Sequence, residues 1–292
     1  MKKKVLAVLL GGCMVAGLVA GCGSKDGGTS DGGDGADSGS SYHFEVVVKS
    51  FQSTYWQAAI QGIDAAVEEL GVTVNTTGPN AESDIADQVN MLNNAISQNP
   101  DGIALAANDQ SAVIDSLQDA LDAEIPVVCF DTGVPDAPEG SVIATIATDN
   151  EAAGAVAAEN MYEVIKDTIA NATEQVRIGE VNQDATSANI SGRGMGFINK
   201  MKELIEADGK TVAVIGNQYY VDQVENNGDE GSADVIIEVA VPAQTTVELS
   251  ATEASNIMNK EDTIAIFGSN QVTAEGVLTA NQNLSVLAAT PE

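Results

Sequence analysis

The sequence predicts an α/β protein of two similar lobes, each a parallel sheet covered by helices. Three observations predict it. From residue 43, short apolar runs alternate with segments whose apolar residues recur at three and four positions. Each short run is bounded by a helix-length crossover, as parallel neighbours require. The strand–helix series then starts again near residue 174.

The elements follow in order. "HFEVVVK" from His43 is a short apolar strand. In "TYWQAAIQGIDAAVEELG", Trp56, Ala59, Ile60, Ile63, Ala66, Val67 and Leu70 form one helical face. Thr54 and Gln57 have the spacing of a capping box, and Gly71 stops the helix. "VTVNTT" is a strand. "ESDIADQVNMLNNAISQN" is a helix with Ile85, Val89, Leu92 and Ile96 on one face. "PDGIALAA" is a strand, "DQSAVIDSLQDALDAE" a helix capped by Asp109, and "IPVVCFD" a strand. Four strands with crossover helices make a parallel sheet with helices on both faces. The run "VIATIATDN" then leads into the helix "EAAGAVAAENMYEVIKDTI".

In the second series "EQVRIGEVN" is a strand and "ISGRGMGFINKMKELIEAD" a helix. "KTVAVIG" and "ADVIIEVAVP" are strands, and "VENNGDEGSA" is a loop between them. "TTVELSATEASNIMNK" is a helix, "DTIAIFGSN" a strand and "TAEGVLTANQN" a helix. The glycines of "GRGMG" at 192–196 sit inside a helical pattern, not in the first turn after a strand, so they are not a dinucleotide fingerprint.

Before the fold, residues 1–21 read as a secretory signal: three Lys precede an apolar run too short and glycine-rich to span a bilayer. "LVAGC", ending at Cys22, resembles the bacterial lipobox. That resemblance implies cleavage before Cys22 and lipidation there. Residues 22–42 continue as a Gly/Ser/Asp tether. The expected organisation is 1–21 signal, 22–42 lipidated Cys and linker, 43–149 first lobe, and 150–292 second lobe. The location is then the outer face of the cell membrane or the periplasm.

Composition excludes several functions. The formal net charge is −31, with 12 Lys+Arg against 43 Asp+Glu, and the signal removes three of the cations. Phosphate contacts need clustered cations, so nucleic acid is not a partner. Of three cysteines, Cys13 leaves with the signal, Cys22 is the lipidation position and Cys129 lies in an apolar run. No disulfide framework is available. A single His, His43, leaves too few parts for a His-based metal site or a Ser/His/Asp triad. The expectation is a non-enzyme, without cofactor or metal, and monomeric.

In open parallel sheets, ligands bind beyond the carboxyl ends of the strands. Those positions hold Lys49 to Trp56, Asn108-Asp109, Asp131-Thr132, Gln183-Asp184, Asn217-Gln218 and Ser269-Asn270-Gln271. Amides and carboxylates there match hydroxyl-rich neutral ligands. Aromatics are only 4 % of the chain, yet Tyr55 and Trp56 stand together. Their rings offer flat faces for the C–H side of a sugar. By spacing alone, Trp56 equally fits the first core position of its helix.

The pieces "VVVKSFQSTYWQAAIQGIDAAVEELG", "DGIALAANDQSAV", "IPVVCFDTG", "IATDNEAAG", "TSANISGRGMGF" and "IFGSNQVTAEGV", in this order over most of 43–287, resemble the ribose/galactose-type periplasmic sugar-binding proteins. These are substrate-binding subunits of ABC importers. The resemblance implies two Rossmann-like lobes, a hinge of three crossing strands and a sugar in the cleft. Position by position, it places Lys49, Ser53, Tyr55 and Trp56 toward the ligand, with the two rings sandwiching or flanking it. It makes Asp131 a hydroxyl acceptor and puts Thr132 where ribose binders carry Arg. It matches Arg193 to a helix Arg, with Ser191 standing where many relatives have the better-known ligand Arg. It makes Asn270 a hydroxyl contact, places Gln244 near the cleft, and assigns Asp149-Asn150 to the first hinge crossing. Relatives continue beyond the "VLTANQN" helix, so the resemblance implies that the second lobe and later hinge strands are truncated here. Delivery to an ABC permease is the implied role. The alternative is a sugar sensor of the same fold, signalling to a chemoreceptor or membrane histidine kinase.

Overall fold

The computed structural model describes residues 42–287. The expected signal segment and Cys22 lie outside the described residues. Among those described, no helix is long and apolar enough to cross a membrane.

Two all-parallel sheets organise the chain. The first contains β1 (His43–Val47), β2 (Thr73–Thr77), β3 (Gly102–Leu105), β4 (Val127–Phe130) and β5 (Val142–Ile146), in the order β2-β1-β3-β4-β5. The second contains β6 (Val176–Val181), β7 (Val212–Gly216), β8 (Val235–Ala240) and β9 (Thr263–Gly268), in the order β7-β8-β6-β9. The run "VIATIATDN" thus supplies a fifth strand to the first sheet, pairing β4 from Val127↔Val142 to Phe130↔Ile146 with one register shift. The order reverses beside β1 in one sheet and beside β6 in the other. These are the switch points where crevices open at strand ends.

The helices are α1 (Thr54–Leu70), α2 (Ile85–Ser97), α3 (Ile114–Asp122), α4 (Asn150–Asn171), α5 (Ala188–Ala207), the short α6 (Gln218–Val221), α7 (Val247–Met258) and α8 (Gln271–Leu284). Gly71 ends α1 in the left-handed conformation, at φ 66°, with its N–H on Val67 O. The expected Thr54/Gln57 capping box does not form: Ser53 is the cap residue and makes no side-chain cap bond, because Thr54 is already helical. Asp109 likewise does not cap α3. Its carboxylate accepts from Ser111 N and Ala112 N, closing a turn, and the helix starts later at Ile114. Asn270 does cap α8, exchanging bonds with Thr273 in a capping box.

The sheet faces build separate cores. Leu92, Ile103, Leu105, Leu117, Val127 and Cys129 are buried in the first lobe. Ile178, Phe197, Met201, Val214 and Ile237 are buried in the second. A polar side chain helps tie the first lobe together. Gln88 of α2 is buried and donates to Val48 O at 3.1 Å and Ala106 O at 2.8 Å, while its carbonyl accepts from Asn108 N at 2.7 Å. It therefore fixes the chain leaving β1 and β3. Gln88→Leu is expected to cost about 1–3 kcal/mol for each backbone group left without a partner, read as a lower denaturation midpoint.

Helices α4 and α5 meet backbone to backbone. A Cβ at Gly154 would lie 2.0 Å from Arg193 O, and one at Gly196 would lie 2.1 Å from Glu151 O. Gly154→Val should force these helices apart and destabilise by about 1–3 kcal/mol or more, measured by thermal denaturation. On the outer side of the first sheet, β5 is an edge strand with Ile143 64 % and Ile146 67 % exposed. Beside it lies an apolar groove of about 350 Å³ lined by Phe44, Ile63, Val67, Val128 and Ile143, among others.

Candidate functional site

The loops leaving β1, β4, β6 and β9 converge on a cavity of about 230 Å³. Lys49 stands two residues beyond β1. Its side chain is buried, its Nζ donates to Asn189 Oδ1 at 3.0 Å, and it lies 3.6 Å from Asp131 Oδ2. Asp131 follows β4 with φ 62°, a left-handed conformation that a short polar side chain tolerates. Its N–H is held by Ile146 O. The carboxylate accepts from Tyr55 OH at 3.0 Å and from Asn189 Nδ2 at 2.8 Å. Burial, and then the Asp131 charge, push the Tyr55 phenol up to about 12.

A second cluster faces the first. Glu82, in the loop after β2, accepts from Trp56 Nε1 at 2.9 Å and from Gln183 Nε2 at 2.8 Å. Asn270 Nδ2 donates in turn to Gln183 Oε1. Burial raises the Glu82 pKa, opposed by Lys49 and by the bonds from Gln183 and Trp56. Arg193 of α5 donates to Ser269 O and to Asn150 Oδ1. Burial lowers its pKa, and Asp131 opposes that.

Seven of the ten residues that the resemblance assigns to the ligand line this cavity together: Lys49, Ser53, Tyr55, Trp56, Asp131, Arg193 and Asn270. Three do not. Thr132 is buried beneath it, its hydroxyl accepting from Asn189 N at 3.3 Å. Ser191 is buried in α5 and its hydroxyl turns back to Ser187 O. Gln244 is exposed in the loop before α7. Asp149 caps α4 through Ala152 N, and Asn150 is taken up by Arg193. Both sit where the chain passes from β5 to α4, and the neighbouring Thr148 lines the cavity.

The aromatic pair serves two purposes. The Tyr55 and Trp56 rings meet edge to face, 5.1 Å apart at 84°. They are not parallel plates, so nothing can be sandwiched between them, and each can only flank the cavity. Trp56 is 2 % exposed and packs among Val46, Val48 and Ala106, with Phe130 edge-on. It is thus a core residue whose N–H end reaches the site.

Gln183 and Gln271, named among the strand-end positions, line the cavity as well, and Glu82, Asn189 and Ile190 line it without having been singled out. Asn189 lies four positions before Arg193, one helical turn away, which marks it as sharing that face. Glu82 had its signal in the loop after β2, another strand end.

The two clusters join the lobes directly. Lys49 and Asp131 reach Asn189, and Glu82 reaches Gln183. Thr186 Oγ1 donates to Asn108 O, Gln110 N donates to Thr186 O, and Gln271 Nε2 donates to Thr54 Oγ1. Planar amides and carboxylates therefore face one another across a small cavity. No His/Cys/Asp/Glu group suited to a metal ion is present among the described residues.

Comparison with known proteins agrees with this architecture. The chain is 24% identical over 229 residues to the ABC transporter periplasmic-binding protein YphF of Escherichia coli (strain K12), a match covering 75% of this chain and 66% of that protein, just under two thirds of its length. Its structure is similar to that of an ABC transporter solute-binding protein from Agrobacterium vitis with bound D-fucose (TM-score 0.65, 28% identity, 83% of this chain and 72% of that one). It is also similar to a Brachyspira murdochii structure described as an ABC transporter, LacI family transcriptional regulator (TM-score 0.63, 31% identity, 82% and 69%). The periplasmic binding protein domain model matches residues 44–288. With nearly all of the folded chain inside that match, the protein belongs to the periplasmic binding protein domain family.

Proposed function

We propose that this chain is an extracytoplasmic substrate-binding lipoprotein that captures a monosaccharide or related polyol between its lobes and delivers it to an ABC import permease. One observation carries the reading. Hydrogen-bonding side chains from both sheets, Lys49, Asp131 and Glu82 from the first and Gln183, Asn189, Arg193 and Asn270 from the second, surround a cavity of about 230 Å³. A hydroxyl-rich ring both donates and accepts, so it can replace the bonds these groups now make to one another. A ligand favours the closed arrangement only by touching both lobes. The D-fucose carried by the Agrobacterium vitis relative supports a monosaccharide as the cargo class.

In this reading Asp131 accepts from ring hydroxyls and Lys49 holds its charge in place. Asn270 and Gln183 contribute from the second lobe, and Tyr55 and Trp56 flank the ring. Ser53 closes the α1 side. Thr132 and Ser191 act behind the site, and Gln244 has no place in it. Asp149 and Asn150 belong to the hinge crossing.

A thermal-shift screen against pentoses, hexoses, deoxy sugars and polyols tests the proposal. A ligand binding only the folded state raises the melting temperature by mass action. No shift with any of them would contradict it. Lipid anchoring at Cys22 is tested separately: Cys22→Ser should release the protein from membranes or leave it unprocessed, whereas unchanged membrane association would contradict the anchor.

A further inference from the structure

Glu180 is the penultimate residue of β6 and is fully buried within the second lobe. Its Oε1 accepts from Asn182 Nδ2 at 2.6 Å. Its Oε2 has no partner, and neither does Asn182 Oδ1. The two orphan acceptors thus belong to two side chains already joined by one hydrogen bond. Buried polar atoms without partners are rare and costly. One proton on Glu180 removes both defects, since Oε2–H can donate to Asn182 Oδ1.

We propose that Glu180 is held as a neutral carboxylic acid, paired with the Asn182 amide through two reciprocal hydrogen bonds. The surroundings favour this state. On the neighbouring strands Glu180 stands opposite Val239 of β8 and Phe267 of β9. From α5 it meets Gly194, where an added Cβ would lie 2.8 Å from Glu180 Oε1 and 2.5 Å from Asn182 Nδ2. The acid–amide pair therefore occupies space that a side chain on α5 would fill. From α6 it faces Tyr220, a phenol that burial keeps protonated by pushing its pKa up, and whose hydroxyl donates to Asp184 O. No basic side chain among the described residues offsets a charge on Glu180, and burial raises its pKa well above the ordinary carboxyl range.

The pair supports the second lobe's half of the cavity. Asn182 is followed by Gln183, which bonds Glu82 and Asn270. Asp184 then accepts from Thr186 N and Ser187 N at the start of α5. A titratable proton thus sits directly under the cleft wall. The unfolded chain releases this proton in the ordinary carboxyl range, and the folded chain releases it only at the raised value. Stability from this group is therefore full at low pH and lost as pH rises between the two.

Melting temperatures of the full chain, wild type against Glu180→Gln, from about pH 5 to about pH 9, test the proposal. Gln keeps both bonds without a titratable proton. Relative to wild type, the variant should gain several degrees from the acid end to the alkaline end, whatever pH-independent cost its second N–H adds. A gap that does not change with pH would overturn the proposal. A second measurement does not depend on the variant folding. Infrared spectra of wild type and of Glu82→Gln, which removes the other carboxyl whose pKa is raised, should both retain the carbonyl band of a neutral carboxylic acid at neutral pH. A carboxylate band alone in Glu82→Gln, as a charged Glu180 satisfied by trapped water would give, would overturn it.

Discussion

Replacing Asp131 with Ala should weaken proposed sugar binding by about 2–5 kcal/mol, the range for truncating a charged group whose buried partners are left unpaired. That is roughly thirty-fold or more in Kd. Tyr55 OH at 3.0 Å and Asn189 Nδ2 at 2.8 Å lose their acceptor, and Lys49 Nζ loses the ion pair it makes at 3.6 Å. Lys49 is 1 % exposed, so its charge would remain buried without an ion-pair partner. Titration calorimetry gives the affinity, and denaturation gives the loss of stability expected with it. Asp131→Asn separates charge from shape: it keeps one acceptor but removes the anion, and should fall between wild type and Ala. An Asp131→Ala protein with wild-type affinity would place the ligand elsewhere.

Trp56→Ala should lower stability by about 3–5 kcal/mol, the cost of removing a buried aromatic side chain. The ring fills space between Val46, Val48 and Ala106 and bonds Glu82 through its N–H. Because Trp56 is both core and cavity wall, Ala mixes the two effects. Trp56→Phe separates them by keeping most of the packing while leaving Glu82 Oε1 without its donor. It should keep most of the stability and still lose affinity. Affinity retained in Trp56→Phe would make the residue structural alone. As the only Trp, it should also change fluorescence when a ligand enters the cavity.

The sequence's periodicity revealed the two sheets and their helices because apolar spacing is a local property. Strand ends located much of the site for the same reason: Lys49, Asp131 and Asn270 each stand just after a strand. What stayed hidden depends on which residues meet across the cleft. Asn189 is an ordinary helix residue until α5 brings it against Lys49 and Asp131. Glu82 is one acid among forty-three Asp and Glu until Trp56 and Gln183 converge on it. Gln88, three after Ile85 and four before Leu92, flanks the apolar face of its helix, but spacing does not show that backbone groups at the ends of β1 and β3 take up its amide. Capping motifs failed where a one-residue difference in helix start moved the cap from Thr54 to Ser53.

The central claim is that a ligand binds between the lobes and is held by both. Titration calorimetry with the sugar that gives the largest thermal shift, comparing wild type with Asp131→Ala from the first lobe and Asn189→Ala from the second, tests it most directly. The account predicts that each substitution, made on opposite sides of the cleft, weakens binding of that sugar by tenfold or more. Binding left unchanged by both substitutions would contradict it.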